Sequence, residues 1–299
     1  MDTGRFDCLI IGGGAAGLTA AVYMGRYKRR VLVLDDDGSR LNWIPRTRNV
    51  PGFPDGIEGP ELLSRMRAHA AKYAIPTERT RVERLLCLED GSFQAESAQG
   101  RWRARFVILA TGARDVEPEI EGIPAALQAG QVRYCPICDG YETQGQRVAV
   151  LGRGRHGLRE SLFIANWARE VTWLAMATQE EVDPRELARL RDAHVRIAAS
   201  PPQRIECGVA GAGVRVDLQD GQVLEFDTIY PALGLHHACE LATALGARAR
   251  ENGQLEVDAH QQTTVPGLYV AGDVAVDLNQ ISVATGHAAI AATAIHNRL

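Results

Sequence analysis

The sequence predicts an α/β fold written twice, and three observations predict it. The chain opens with a strand, a glycine turn, a helix and a strand, "FDCLIIGGGAAGLTAAVYMGRYKRRVLVLDDD". A second segment, "RVAVLGRGRHGLRESLFIANWAREVTWLAMA", repeats the layout, with Gly152, Gly154 and Gly157 spaced as Gly12, Gly14 and Gly17 are. Each unit is followed by short alternating strands around an Asp-Gly turn, "RVERLLCLEDGSFQAES" and "VRVDLQDGQVLEFDT". Each then closes on an apolar strand ending in glycine, "FVILATG" and "TIYPALG". One glycine fingerprint is weak evidence, but two inside the same larger pattern predict two Rossmann-like, three-layer ββα dinucleotide-binding domains.

In the first unit Gly12 allows the tight turn, Gly14 lets backbone approach a pyrophosphate, and Gly17 lets helix pack on strand. Ala15 and Ala16 open the helix, whose N-terminus faces the phosphates with partial positive charge. Asp35 ends the second strand, where an acid binds a ribose hydroxyl. The apolar run between Asp7 and Arg26 is too rich in glycine for a membrane span or a signal core, so the chain reads as cytoplasmic and unprocessed. The last segment, "VPGLYVAGDVAVDLNQISVATGHAAIAATAIHNRL", reads as a strand, an Ala-Gly-Asp turn and a long helix of small residues. It is assigned to the first domain. That domain is then discontinuous, 1–115 plus 243–299, with 116–242 inserted into it.

The 299 residues carry a net charge of −4, and the arginines are scattered among acids, as in "RELARLRD". The pattern holds no basic face of the kind that grips nucleic acid. "DPRELARLRDAH" reads as a solvated helix whose arginines meet its acids. Of six cysteines, Cys8, Cys87, Cys207 and Cys239 stand alone. Cys8 and Cys87 lie in strand-like runs and are read as small buried hydrophobes.

"YCPICDGYE" sets Cys135 and Cys138 three apart. A zinc site needs about four ligands, and there is one pair without histidines at ligand spacing, so no metal is assigned. A structural disulfide does not suit a cytosolic chain, which leaves a redox dithiol. Pro136 suits the first position of a helix, placing Cys135 at its N-terminus, where a thiolate is favoured. Asp139 adjoins Cys138, and a carboxylate beside a thiolate tends to hold its proton, which suits a general acid.

"GGGAAG", "ILATGA", "CPICDG" and "GLYVAGDV", in that order, resemble the low-molecular-weight thioredoxin reductases over nearly the whole chain. The resemblance implies FAD in the first domain and a set of contacts for it. Phosphates would lie on Gly12 to Gly17 and a ribose on Asp35. Arg40, Leu41 and Asn49 would lie near the flavin, and Val82 would meet the adenine through its backbone. Thr111 and Gly112 would cover the nucleotide, and Gly272, Asp273, Gln280 and Ile281 would hold the ribityl and ring portion. It also implies that Cys138 lies next to the flavin, that Cys135 exchanges with the substrate, that Asp139 moves the proton, and that the protein is a homodimer. Asn279 stands where the family pattern has an arginine.

The second fingerprint departs further from that pattern. Relatives using NADPH carry a histidine and two arginines at the strand end, followed by another arginine. This chain has Ala175, Met176 and Ala177, then Glu180 and Glu181. Losing two charge-assisted hydrogen bonds removes about 3–6 kcal/mol of a 2′-phosphate's binding. Arg153 and Arg155 inside the turn either grip a pyrophosphate or block its approach. Trp173 is read as core rather than as a stacking surface. The donor stays open among NADPH, a ferredoxin or flavodoxin, and a second nucleotide or flavin on Gly152, Gly154, Arg155 and Gly157. The expected activity is FAD-dependent exchange with a thioredoxin-like protein or small disulfide. The alternatives are a dithiol oxidase passing electrons to oxygen and a non-catalytic flavin sensor. His287 is read as a packing or helix-surface residue, and His236 and His237 as loop residues.

Overall fold

The computed structural model describes residues 5–176, 183–208 and 213–299. Ala177, Glu180 and Glu181 lie outside the described residues. In chain order the first elements are β1 (Phe6–Ile11), α1 (Ala15–Arg26), β2 (Val31–Asp35), α2 (Gly59–Ala71), β3 (Thr77–Arg79), β4 (Arg84–Cys87), β5 (Phe93–Ser97), β6 (Gly100–Leu109) and β7 (Ala113–Asp115). Next come α3 (Ile123–Gln128), α4 (Pro136–Asp139), β8 (Arg147–Gly152), α5 (Gly154–Ile164), β9 (Glu170–Ala175), α6 (Pro184–Asp192), β10 (Arg196–Ile197) and β11 (Pro202–Cys207). The chain ends with β12 (Val214–Leu218), β13 (Val223–Phe226), β14 (Thr228–Ala232), β15 (Leu235–His237), α7 (Glu240–Thr243), β16 (Leu268–Val270) and α8 (Ile281–His296). Two compact units result, 1–114 with 236–299 and 115–235. Both are Rossmann-like.

In the first unit β6 serves two layers. Its C-terminal half runs parallel between β1 and β16, and β1 continues the sheet to β2 and β3. Its N-terminal half pairs antiparallel with β5, and β5 with β4. Parallel strands are covered on both faces, which is why β1 reads as an unbroken apolar run. Cys8 and Ile10 face the core under α1 and α8, while Leu9 and Ile11 face the other one with Phe93 and Trp102. On the helical side Ala16, Ala20 and Ala21 of α1 share a core with Ala284, Ala288 and Ala291 of α8, small residues that let the two helices approach closely.

The second unit repeats the plan. A parallel sheet runs β10-β9-β8-β14, and β11-β12-β13 form an antiparallel layer. Trp173 on β9 is buried, and its indole N–H donates to the Gly152 carbonyl at 3.2 Å. Its ring fills the core and presents no stacking surface. Trp173→Ala is expected to destabilise this unit by about 3–5 kcal/mol, because a large ring leaves a cavity that collapses poorly. A fall in the denaturant midpoint followed by circular dichroism measures it.

Three expectations change. Cys87 is exposed, because it ends a four-residue strand at the sheet's edge. His236 and His237 belong to β15 rather than to a loop, and His237 is buried, with Nδ1 at 2.6 Å from the Asp273 carbonyl. The 184–192 helix forms as read, but its Glu186 pairs with Arg155 of α5 rather than with an arginine of its own helix. Cys8 is buried as read, and burial raises its thiol far above the usual range.

Candidate functional site

In the first unit the cofactor residues predicted from sequence converge on one end of the parallel sheet. Gly12 to Gly17 follow β1, Asp35 ends β2, Thr111 and Gly112 follow β6, and Gly272 and Asp273 follow β16. These are the carboxyl ends of parallel strands, where open α/β sheets take their ligands. The turn is built as its glycines suggest. Gly12 sits at φ +107°, and a Cβ there would lie 2.3 Å from the Ala110 carbonyl oxygen. A Cβ on Gly17 would meet the Gly12 oxygen at 1.8 Å, so α1 reaches the strand only through this glycine. A Cβ on Gly14 would meet only the Ser39 hydroxyl, at 3.4 Å. That open side is where a phosphate would approach.

Gly14 caps α1 without a side-chain hydrogen bond, and no acid stands in the first turn. Ala15 and Ala16 therefore begin a helix whose N–H groups are available to an anion. Gln280 caps α8 in the same way, with Ile281 first in the helix. The residues present fit a dinucleotide. Asp35 is buried, and its Oδ1 accepts the Gly13 N–H at 2.9 Å, tying the strand end to the turn. Arg67 lies 3.5 Å from the other carboxylate oxygen and also pairs with Asp37, a contact that sequence alone did not reveal.

Around them, Arg40 donates to Asp273 Oδ2 at 2.8 Å and Asn49 to Gln280 Oε1 at 2.8 Å. Leu41 and Val82 are buried, and the Thr111 hydroxyl donates to the Ala238 carbonyl at 2.6 Å. Gly272 takes φ +84°, and a Cβ there would press on Ala16 at 3.1 Å. Asn279 accepts from Gln254 at 3.5 Å. His287 is buried in α8, 3.4 Å from Asp277. Asp277 is held below the ordinary carboxylate range by the Leu278 N–H first and by His287 second.

In the second unit Cys135 and Cys138 are joined as a disulfide. Pro136 begins α4, Cys135 is its N-cap, and the Cys138 N–H donates to the Cys135 carbonyl at 2.9 Å. Local sequence fixes this loop, since proline is preorganised for a first helical turn. Tertiary structure adds what sequence could not. The Tyr230 hydroxyl, on β14, donates to Asp139 Oδ1 at 2.6 Å, and Arg133 lies 3.7 Å from Oδ2. A buried tyrosine wants a partner for its hydroxyl, but nothing in "TIYPALG" names which. Burial first, then the Asp139 charge, pushes Tyr230 far above the usual phenol range, so it stays a donor.

Tyr134, beside the pair, is pushed up to about 12 by burial and then by Glu117 and Asp115. Its unfolded value is 10. The folded state therefore binds the proton more tightly. This stabilising contribution is complete below pH 10 and is lost as pH rises toward 12. Tyr134→Phe is expected to flatten the fall of stability between those pH values, measured by denaturant titration.

The second glycine turn differs from the first. Gly154 takes φ +46° with open space at its Cβ, and Gly157 lets α5 meet Gly152 and Trp173. The Arg155 guanidinium is engaged with Glu186 at 2.9 Å. Gly152 is in register with Ala175, which is buried at the end of β9. Among the described residues the strand end thus offers neither an acid for a ribose nor a cation for a 2′-phosphate. Among the described residues, too, no cluster of His, Cys, Asp or Glu can hold a metal, and no helix is long and apolar enough to cross a membrane.

Two Rossmann-like units, one carrying a Cys-Pro-Ile-Cys disulfide at a helix start, define the class as disulfide oxidoreductase. The profile of pyridine nucleotide-disulphide oxidoreductases matches residues 6–288, and the chain belongs to that family, which implies a flavin cofactor. It is thioredoxin reductase-like throughout. It is 28% identical to a thioredoxin reductase of Bacillus subtilis, over 98% of this chain and 94% of that protein. It is 31% identical to an NADH dehydrogenase of the same organism, over 97% of this chain and 58% of that longer protein. The crystal structure of thioredoxin reductase from Streptococcus pyogenes superposes with a TM-score of 0.90 at 27% identity, over 98% of this chain and 97% of that one.

Proposed function

We propose that the protein is an FAD-dependent thiol–disulfide oxidoreductase in which Cys135 and Cys138 exchange with a thioredoxin-like protein or a small disulfide. The observation that carries this reading is the Cys135–Cys138 disulfide, at the start of α4 in a chain of this family. Gly12, Gly14, Gly17 and Asp35 hold the dinucleotide portion of FAD. Arg40, Asn49, Asp273 and Gln280 hold the portion toward the ring. The flavin, when bound, supplies the two-electron couple. The chain's own part is thiol chemistry. An incoming thiolate attacks one sulfur, the Cys135–Cys138 bond breaks, and the other cysteine leaves as a thiolate with the electron pair. Asp139 gives that thiolate its proton and takes it back on reversal. The working assembly is a cytoplasmic homodimer.

The source of electrons distinguishes two readings. Arg155 held by Glu186, and Ala175 at the strand end, favour a donor other than NADPH: a ferredoxin or flavodoxin, or a second nucleotide or flavin on the second glycine turn. The same two observations favour the reverse direction, dithiol oxidation, in which a dithiol and O2 yield a disulfide and H2O2. Anaerobic titration of the yellow protein separates them. Reduced ferredoxin, NADPH, NADH and a dithiol are added in turn, and flavin absorbance is followed. Bleaching by the dithiol alone, with oxygen uptake on readmitting air, selects the oxidase. Bleaching by none of the four sinks the proposal.

A further inference from the structure

The Tyr230 hydroxyl sits 2.6 Å from one oxygen of Asp139, and the Arg133 guanidinium sits 3.7 Å from the other. Both belong to the second unit, but neither belongs to the cysteine loop's helix. Tyr230 is fully buried in β14, a strand in register with β8, so its ring has no freedom to follow the carboxyl if that group turns away. Arg133 stands just before the loop, its guanidinium half-buried and its Nε bonded to the Gly130 carbonyl at 3.3 Å. Asp139 is therefore gripped from the sheet on one side and from the incoming chain on the other. We propose that Tyr230 is a positioning residue for the thiol–disulfide step, orienting the Asp139 carboxyl and setting its readiness to part with a proton.

Both protonation states of Asp139 matter. A hydroxyl donating to a carboxylate stabilises the ionised form, and a nearby guanidinium does the same. When the Cys135–Cys138 bond opens, the leaving thiolate needs one proton, and Asp139 can give it only by becoming the carboxylate. Tyr230 and Arg133 are already in place to receive that carboxylate, so no reorganisation is needed as the charge forms. On reversal a cysteine thiol loses its proton to the same oxygen pair. Burial and the adjoining Asp139 charge keep Tyr230 itself protonated throughout, so it donates and does not titrate in the working range.

The surrounding groups are those of the elements packed on α4. The two cysteines share its turn, and Glu142 lies on the turn that follows. On α5, which packs against α4, Arg155 is engaged with Glu186. Burial lowers the proton affinity of His156 there and raises that of Glu160. The Asp139 carboxyl itself meets Tyr230 and Arg133.

This inference rests on the reading of Asp139 as the proton carrier, and the experiment separates the two. The rate at which a dithiol opens the disulfide is measured against pH, in single turnover, for the flavin-loaded parent, Tyr230→Phe, Asp139→Asn and the double variant. Tyr230→Phe keeps the buried ring, and an unchanged flavin spectrum and melting temperature verify its fold. The expected result is an upward shift of about one unit in the pH limb assigned to Asp139, with a rate loss of about threefold on the acid side of that limb, where the carboxyl is protonated in both proteins and is the weaker acid in the variant. The double variant should be no slower than Asp139→Asn alone, because Tyr230 acts through that carboxyl. If Asp139→Asn is slow but Tyr230→Phe matches the parent at every pH, the role of Tyr230 is overturned. If Asp139→Asn itself exchanges at the parental rate, the underlying reading of Asp139 falls and the inference falls with it.

Discussion

Cys138→Ser is expected to leave the protein yellow and to lower dithiol-dependent turnover by at least about 10³-fold. A serine hydroxyl has the shape of the thiol but cannot close a disulfide or leave as a low-energy anion at neutral pH. The fold should not suffer. The pair closes a loop of one turn, and Cys138 continues to donate its N–H to Cys135 whatever its side chain. Flavin content is read from the visible spectrum and turnover from dithiol consumption. A variant that still turns over at the parental rate would remove the disulfide from the reaction. Cys135→Ser should be equally inactive, because a single sulfur cannot carry two electrons as a disulfide.

Gly17→Val carries the second large effect, and it acts on structure first. Even a Cβ would sit 1.8 Å from the Gly12 carbonyl oxygen, which belongs to backbone and cannot rotate aside. The helix must lift off the strand, and with it goes the core shared by Ala20 and Ala21 with Ala288 and Ala291. A loss of about 3 kcal/mol or more is expected, together with loss of bound flavin. Gly14→Ala makes the informative contrast. Its Cβ would rest at ordinary distance from Ser39, with φ already negative, so the protein should fold normally. The added methyl faces the open side of the turn, where phosphate would approach, and flavin affinity should fall while the melting temperature of the flavin-free protein holds. Thermal melts with and without added FAD distinguish the two variants. Equal flavin affinity in Gly14→Ala and parent would show that the turn does not hold the cofactor.

The first glycine turn was legible because each glycine answers a local steric demand. Gly12 needs positive φ, and Gly17 needs the absence of a Cβ. The repeated layout was legible for the same reason, since strand, turn and helix periodicity are properties of short segments. The exposure of Cys87 is not legible, because an apolar run gives no sign of whether its strand lies at the middle or the edge of a sheet. The burial of His237 is not legible either, because its partner, the Asp273 carbonyl, lies far along the chain. The Arg155–Glu186 pair was hidden for the same reason, and it changes what the second glycine turn can offer.

Sequence by itself determined the two dinucleotide-type units, the glycine turns and the cysteine pair at a helix start. All of these are written in residues a few positions apart, where backbone sterics and helix-end chemistry act. Only the tertiary structure decided who holds Asp139. Tyr230 reaches it from a strand that folds back beside β8, and Arg133 reaches it from the chain before the loop. The geometry of a proton-carrying carboxyl depends on groups that packing brings within hydrogen-bond and ion-pair reach, and spacing along the chain does not record that distance.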